Sequence, residues 1–240
     1  WSSDVCSSDL MARHRMVALV GAGGKTSTLY ALARQAADSG RTVVVTTTTH
    51  ILRHPGLPLV EEPTPERLRA ALEGHGVVTV GTVFRGDKLS GAGTPEELRR
   101  AADVVLVEAD GAKRLPLKAP AEYEPVIPPC ADAVAAVAGM DAVGQAVGAV
   151  CHRPERVCAL LGAGAEHVLT PEDVALLLAN PQGGRKGVGE AMAFRCVLNK
   201  ADTPERAAHA SAVAGRLAER GIHSAITYYR EEERGGLCWF

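Results

Sequence analysis

The 240-residue sequence has few aromatic residues and no excess of charge of either sign. Phe, Trp and Tyr make up 4% of the chain, and 26 Lys and Arg residues accompany 28 Asp and Glu residues. The basic residues are scattered rather than clustered, so we expect no nucleic-acid partner. With 46% hydrophobic and 22% charged residues, the composition is typical of a globular protein and excludes a disordered chain or a coiled coil.

Paired cysteines and long hydrophobic runs are also missing. The six cysteines contain no C-x-x-C pair and no regular spacing, which argues against a disulfide framework or a zinc site and favours reduced thiols. The longest weakly apolar run, residues 133–150, is interrupted by Asp141 and Gln145. Because a charged residue in mid-span costs about 2.5 to 3.5 kcal/mol on insertion, this run is not predicted to be a transmembrane helix. No secretory signal is recognisable, and we expect a cytoplasmic protein with no membrane partner.

Residues 1–10, WSSDVCSSDL, show neither helix nor strand periodicity and run directly into Met11. They look like translated sequencing-adapter sequence, so Met11 is the expected native start and the segment is set aside. Residues 11–240 contain no internal repeat and no clear linker, which predicts one P-loop nucleotide-binding domain.

Strand and helix patterns alternate along this domain, which predicts an α/β, P-loop NTPase-like fold with a mostly parallel sheet and helices on both faces. Strands are predicted at 17–20, 43–45, 77–80, 103–110, 194–198 and 225–229, and helices at 25–39, 66–72, 94–102, from 170 onward, and 203–220. The segment 111–129 contains five prolines and is predicted to be an ordered loop or lid.

The first predicted strand leads into a glycine-rich turn, Gly21-Ala22-Gly23-Gly24-Lys25-Thr26-Ser27. Glycines let successive backbone N–H groups point at an anion, the following helix adds its positive end, and Lys25 can reach terminal phosphates. Thr26 is predicted to bind magnesium through its hydroxyl. The full Walker A motif has a glycine where this chain has Leu19, so the match is the shorter G-x-x-G-K-T. We predict a phosphate loop rather than a simple glycine turn.

A second motif follows four apolar residues, at Glu108-Ala109-Asp110-Gly111. A carboxylate at the end of a buried strand beside a phosphate loop can hold the water shell of a nucleotide's magnesium ion. Glu108 and Asp110 would share one face of a regular strand, so the sequence does not choose between them. Lys25, Glu108 and Asp110 are the catalytic candidates, and Thr26 with Asp110 the candidate magnesium ligands. A carboxylate that only caps a turn is the alternative.

The third motif is Asn199-Lys200-Ala201-Asp202, which follows a predicted strand and precedes a helix. N-K-x-D is typical of the guanine-binding loop of GTPases, in which the Asp accepts hydrogen bonds from guanine, the Lys stem lies along the ring and the Asn braces the loop. Four letters also match by chance. The predicted cofactors are Mg²⁺ and GTP, with ATP as the alternative nucleotide.

Two further groups of residues are candidate contacts for a second ligand. Thr46–Thr49 is explained better by β-propensity and a turn than by a switch-like loop, but Thr48 and His50 lie where a ligand contact is conceivable. His50 and His54 are four residues apart, yet Pro55 argues against the helix that would align them as metal ligands.

The second group is basic. Lys113, Lys118, His152 and Arg153 either contact an anionic ligand or are solvated charges, and the sequence does not decide.

Taken together, the segments GAGGKTS, TTTTHI, VEADGAKRLPLKAPAEYEPVIP, CHRPE and LNKAD resemble the YqeC family. The resemblance extends from about residue 17 to 202 and is most specific in ADGAKRLPLKAP. The family is described as accessory proteins of selenium-dependent molybdenum hydroxylases. The resemblance therefore implies a nucleotide-dependent maturation factor whose partner is a molybdenum hydroxylase or its cofactor-insertion machinery.

The nucleotide motifs also resemble those of metallochaperone GTPases, in which G-x-x-G-K-T, E-x-x-G and N-K-x-D occur together. That likeness implies nucleoside-triphosphate hydrolysis. One alternative is an ATP-dependent ligase or small-molecule kinase, because G-x-x-G-K-T is similar to the phosphate loop of Mur ligases, although a ligase should carry a second substrate domain. The other is a non-catalytic scaffold in which bound nucleotide only sets the shape of 111–129.

Overall fold

The computed structural model describes Leu10 and residues 13–229. The strands are β1 (Met16–Gly21), β2 (Val43–Thr47), β3 (Ile51–Leu52), β4 (Leu59–Val60), β5 (Val77–Val80), β6 (Thr82–Arg85), β7 (Lys88–Ser90), β8 (Val104–Glu108), β9 (Leu117–Lys118), β10 (Ala133–Gly139), β11 (Cys151–His152), β12 (Ala193–Asn199) and β13 (Ser224–Ile226). The helices are α1 (Lys25–Asp38), α2 (Pro65–His75), α3 (Pro95–Ala101), α4 (Val147–Val150), α5 (Pro154–Leu161), α6 (Pro171–Ala179) and α7 (Pro204–Ala218).

Eight strands form the central sheet in the order β13-β12-β10-β1-β8-β2-β5-β4. Every neighbouring pair in this sheet is parallel. The predicted α/β fold with a mostly parallel sheet is therefore confirmed. Strand β1 lies between β10 and β8, so the turn after β1 meets the carboxyl ends of both neighbours, where parallel sheets bind ligands.

Alternate residues of the strands pack into two separate cores, one on each face of the sheet. Val17 and Leu19 of β1 pack with Leu29 of α1. Ala18 and Val20 belong to the opposite core, which also contains apolar residues of α2, α3, α6 and α7. Helices thus cover both faces, as predicted, and the strands are continuously hydrophobic because neither face contacts water.

Four helices begin with a Thr-Pro step, which explains where they start. The hydroxyls of Thr64, Thr94, Thr170 and Thr203 accept hydrogen bonds from backbone N–H groups in the first turn, and a proline follows each threonine. Proline at the first helical position has no N–H to leave unpaired, and its fixed φ suits a helix. The helix starts predicted near 94, 170 and 203 are confirmed.

The run 133–150 folds as β10, a 3-10 turn at Met140–Ala142 and the short helix α4. Strand β10 was not identified from the sequence, although it is buried along its whole length. A small antiparallel sheet in the order β3-β7-β6 was also not predicted. No helix within the described part of the chain is long and apolar enough to cross a membrane.

Several predicted segments differ in their limits, and two of these lie next to the glycine-rich turn. The strand predicted at 103–110 ends at Glu108, and the predicted loop 111–129 includes the two-residue strand β9, which pairs with β11. Residues 1–9, within the segment that was set aside, lie outside the described residues. Leu10 is 5% exposed and packs in the same core as α1.

Candidate functional site

The glycine-rich loop at residues 21–27, which the sequence predicts to bind phosphate, forms a tight left-handed path between β1 and α1. Gly21, Gly23 and Gly24 have φ values of 92°, 75° and 114°, which L-residues with a Cβ rarely adopt. A Cβ on Gly23 would also overlap the backbone nitrogen of Gly139. Helix α1 has no side-chain cap at its N-terminus, so its first-turn N–H groups remain for another acceptor, as in anion-binding helix ends.

A neighbouring strand and a neighbouring loop hold this turn in place. The Ala22 N–H donates to the Val137 carbonyl at 2.8 Å, and the Gly23 N–H donates to the Leu115 carbonyl at 3.0 Å. The loop that carries the glycines is therefore attached to β10 on one side and to 111–129 on the other.

Lys25 and Thr26, the first two residues of α1, contact different carboxylates. The Lys25 ammonium donates to the Gly21 carbonyl at 2.7 Å and lies 3.1 Å from Oδ1 of Asp110. The Thr26 hydroxyl donates to Oε2 of Glu108 at 2.8 Å. Since β8 ends at Glu108, Glu108 and Asp110 do not continue one regular strand face.

This arrangement separates the two carboxylates that the sequence left equivalent. Glu108 lies beside the hydroxyl predicted to bind magnesium, whereas Asp110 lies beside the lysine and accepts from the Gly21 N–H at 3.0 Å. Burial raises the pKa of Glu108, although the positive charge of Lys25 and the hydrogen bond from Thr26 oppose that rise. A cation beside Glu108 would favour its ionised form.

The N-K-A-D segment contacts the glycine-rich loop directly. Asn199, at the end of β12, is 2% exposed. Its amide nitrogen donates to the Gly23 carbonyl at 2.9 Å, and its amide oxygen accepts from the Thr227 hydroxyl at 3.2 Å. Because 176 residues separate Asn199 from Gly23, their contact is a property of the fold and not of local sequence.

The two charged residues of the same segment are held by ion pairs. Lys200 has a φ of 63°, and its ammonium lies 2.6 Å from Oδ2 of Asp141. Asp202 accepts from the Arg206 guanidinium at 2.7 Å, one turn along α7. Both side chains therefore have a partner of opposite charge at the carboxyl edge of the sheet.

The basic residues of 111–129 and 150–153 divide into buried and exposed groups. The Lys118 ammonium lies 3.0 Å from Asp110 and 2.8 Å from Glu124, and Arg153 donates to both oxygens of Glu124 at 2.8 and 3.1 Å. Burial alone would raise the pKa of Glu124, but the hydrogen bond and charge of Lys118 and the charge of Arg153 outweigh it and lower that pKa. Lys113 is exposed.

The histidine and threonine candidates lie in different surroundings. His152 is in register with Lys118 across the β9–β11 pair, and its pKa is lowered by burial and by the positive charges of Arg153 and Lys118. The Thr48 hydroxyl donates to the Val126 carbonyl at 2.7 Å, which links the threonine-rich strand end to 111–129. His50 packs instead against the exposed ring of Phe84, at a centroid distance of 4.3 Å.

Several residues that shape the site were not identified from the sequence. Gly139 lies against the glycine-rich loop, Glu124 connects Lys118 with Arg153, and Thr227 supports Asn199. Gly139 ends an Ala- and Val-rich run, and a glycine at the end of such a run was the one available signal for a close backbone approach.

Comparison with known proteins gives two matches. The sequence model of the family described as YqeC protein matches residues 17–155. A protein of Escherichia coli (strain K12) that carries the name Uncharacterized protein YqeC is 32% identical over 231 residues, which cover 90% of this chain and 88% of the relative. With a family model that matches more than half of its length and a relative that is similar over nearly all of it, the chain belongs to the YqeC family.

Proposed function

We propose that this protein binds a magnesium nucleotide, preferentially GTP, at residues 21–27 and uses its binding or hydrolysis to drive maturation of a molybdenum-containing hydroxylase. The observation that carries the nucleotide proposal is the bond from Asn199 to the Gly23 carbonyl. It joins a candidate base-reading segment to a candidate phosphate-binding loop within hydrogen-bond distance. In the N-K-x-D interpretation the Asn braces the loop, and this bond supports that role.

The residues around Thr26 fit a magnesium ion chemically. Magnesium prefers hard oxygen ligands and is commonly bound through one or two protein groups together with phosphates and water. The Thr26 hydroxyl and the Glu108 carboxylate, 2.8 Å apart, are oxygen donors of this kind. In the proposal Thr26 binds the ion and Glu108 orients its water shell, and the ion would neutralise charge on the terminal phosphates.

Lys25 would donate to the terminal phosphates, and Asp202 would read the base. A carboxylate has only acceptors, which match the N1–H and N2 donors of guanine, whereas adenine offers no such pair of donors.

The proposed partner is a molybdenum hydroxylase or its cofactor-insertion machinery, at a selenium-dependent step and in the cytoplasm. The family resemblance supports this partner, and the geometry of the site does not bear on it.

The base assignment is tested by Asp202→Asn. The amide would place a donor opposite a guanine donor, and a poorly paired donor costs about 1 to 3 kcal/mol, or roughly 5- to 150-fold in affinity. The variant should lose affinity for GTP and gain affinity for XTP, measured by calorimetry with magnesium present. Arg206→Gln is the matched control, because it removes the ion partner of Asp202 and keeps the carboxylate.

Equal affinity of the unmodified protein for ATP and GTP, or an unmoved GTP-to-XTP preference in Asp202→Asn, would refute the guanine assignment and favour the kinase or ligase alternative. The proposed partner, a molybdenum hydroxylase, is tested separately. A molybdenum hydroxylase expressed in cells that lack this protein should regain activity with the unmodified chain and not with Lys25→Ala. Equal recovery with both chains would show that nucleotide binding is not needed.

A further inference from the structure

One carboxylate in the site is shared by two buried lysines. Oδ1 of Asp110 lies 3.1 Å from the Lys25 ammonium, and Oδ2 lies 3.0 Å from the Lys118 ammonium. The side chains of Lys25, Asp110 and Lys118 are 4%, 2% and 1% exposed. Solvent therefore screens these charges only weakly, and each charge strongly affects the next.

Asp110 opposes phosphate binding in two ways. Its negative charge attracts the Lys25 ammonium and so competes with a phosphate for that donor. The same charge repels phosphate oxygens that approach Lys25, since like charges a few ångströms apart repel strongly where water is excluded. A phosphate site built on Lys25 therefore needs a second cation to neutralise Asp110.

Lys118 is positioned to be that cation. Its ammonium also contacts Glu124 at 2.8 Å and the Gly111 carbonyl at 2.6 Å. These two contacts and the one with Asp110 hold the ammonium in place. Arg153 binds both oxygens of Glu124 and balances that second carboxylate. Charges of alternating sign, three positive and two negative, therefore form a row in the order Lys25, Asp110, Lys118, Glu124, Arg153.

The two lysines reach Asp110 from opposite faces of the sheet. Lys25 belongs to α1, which packs on the face that contains Leu19. Lys118 lines a buried cavity of about 20 Å³ together with Val20, Leu177 and Leu178, which belong to the opposite core. Lys118 thus approaches from behind the phosphate loop, on the side away from α1.

We propose that Lys118 is a positioning residue that neutralises Asp110 and thereby leaves Lys25 available to phosphate, without itself contacting the nucleotide. This inference rests on the nucleotide site of the proposed function and assigns the control of phosphate affinity within it. It makes Asp110 a counterion rather than a magnesium ligand.

The test is a double-mutant cycle on Lys118 and Asp110, read by titration with GTP, GDP and guanosine. Lys118→Met should weaken GTP binding at least tenfold, GDP binding less, and guanosine binding not measurably, because the repulsion acts on phosphate charge. Adding Asp110→Asn to Lys118→Met should restore GTP affinity to within about threefold of the unmodified protein, since no carboxylate is left to neutralise.

Lys186→Met is the matched control. The Lys186 ammonium donates to the carbonyls of Ala121 and Glu122 at 2.5 and 2.9 Å, so this lysine anchors the same 111–129 loop without contacting a carboxylate of the row. Its loss should change GTP affinity less than twofold. A loss as large as that of Lys118→Met would mean that loop anchoring, and not charge, sets the affinity.

The remaining outcomes are also decisive. Failure of the double variant to recover GTP affinity would overturn the proposal in favour of direct contact between Lys118 and phosphate. If Lys118→Met alone does not fold, the comparison moves to Asp110→Asn with and without Lys118→Met, which should bind GTP equally. If the unmodified protein binds no nucleotide, the proposed function is refuted. If a folded Lys118→Met variant binds GTP with normal affinity, only the role inferred for Lys118 is refuted.

Discussion

Asn199→Ala should destabilise the fold and weaken nucleotide binding together. The substitution removes the donor to the Gly23 carbonyl and the acceptor for the Thr227 hydroxyl. Gly23 is buried, and a buried carbonyl left without a partner costs about 1 to 3 kcal/mol. Thr227 is partly exposed, so water can replace its lost bond at a smaller penalty. We expect a total loss of about 2 kcal/mol in the free energy of unfolding.

Urea unfolding measures this loss. With a slope of about 2 to 3 kcal/mol per molar, the midpoint should fall by roughly 0.7 to 1 M with no change in slope. Asn180→Ala is the matched control, because the Asn180 side chain accepts from the Gln182 N–H in an exposed turn, and its loss should stay within about 0.5 kcal/mol. Thr227→Val should fall between the two.

GTP titration of the same variants separates stability from function. The Asn199 amide nitrogen also lies against Gly24, so its removal loosens the turn that would surround the phosphates, and affinity should fall for GTP and GDP alike. If Asn199→Ala unfolds within 0.5 kcal/mol of the unmodified protein, the contact with Gly23 contributes nothing measurable, and the structural link between the two motifs is refuted.

Two further predictions concern a carboxylate and a helix cap. Because the pKa of Glu124 is lower in the folded state than its usual 4.5, its contribution to stability is complete above that pH and is lost as the pH falls through the folded-state pKa. Glu124→Gln should therefore flatten the acid side of the stability curve in urea titrations from about pH 3 to about pH 6, and an unchanged acid limb would contradict the pairing. Thr170→Ala removes a capping box with Asp173 and should lower the unfolding free energy by about 1 kcal/mol. An unchanged urea midpoint would show that the capping box does not contribute to stability.

The glycine turn between β1 and α1 was predictable because local chemistry defines it. Glycines between an apolar strand and a helical pattern predict such a turn, and the structure shows three glycines with positive φ there. The Thr-Pro helix starts were predictable for the same reason, since a cap depends on residues three positions apart. Each of these signals lies within one short window of sequence.

The remaining parts of the site depend on contacts between distant segments. Whether Glu108 or Asp110 approaches Thr26 depends on where β8 ends, and the amino-acid sequence of this segment does not mark that point. The strand β10 was missed because Ala, Val and Gly without alternation fit a fully buried strand as well as several other structures. The sequence left Lys118 open between a solvated charge and a contact with an anionic ligand, and only the fold shows that it is buried between Asp110 and Glu124.

The attachment of the glycine-rich loop to distant segments has a consequence for synthesis of the chain. The G-x-x-G-K-T motif is complete at residue 26, but the Gly23 N–H pairs only with the arrival of Leu115, the Ala22 N–H with Val137, and the Gly23 carbonyl with Asn199. Contacts of such long sequence separation form late, because the intervening chain must first be ordered. A nascent chain would therefore carry this motif through most of translation before the turn reaches its final shape.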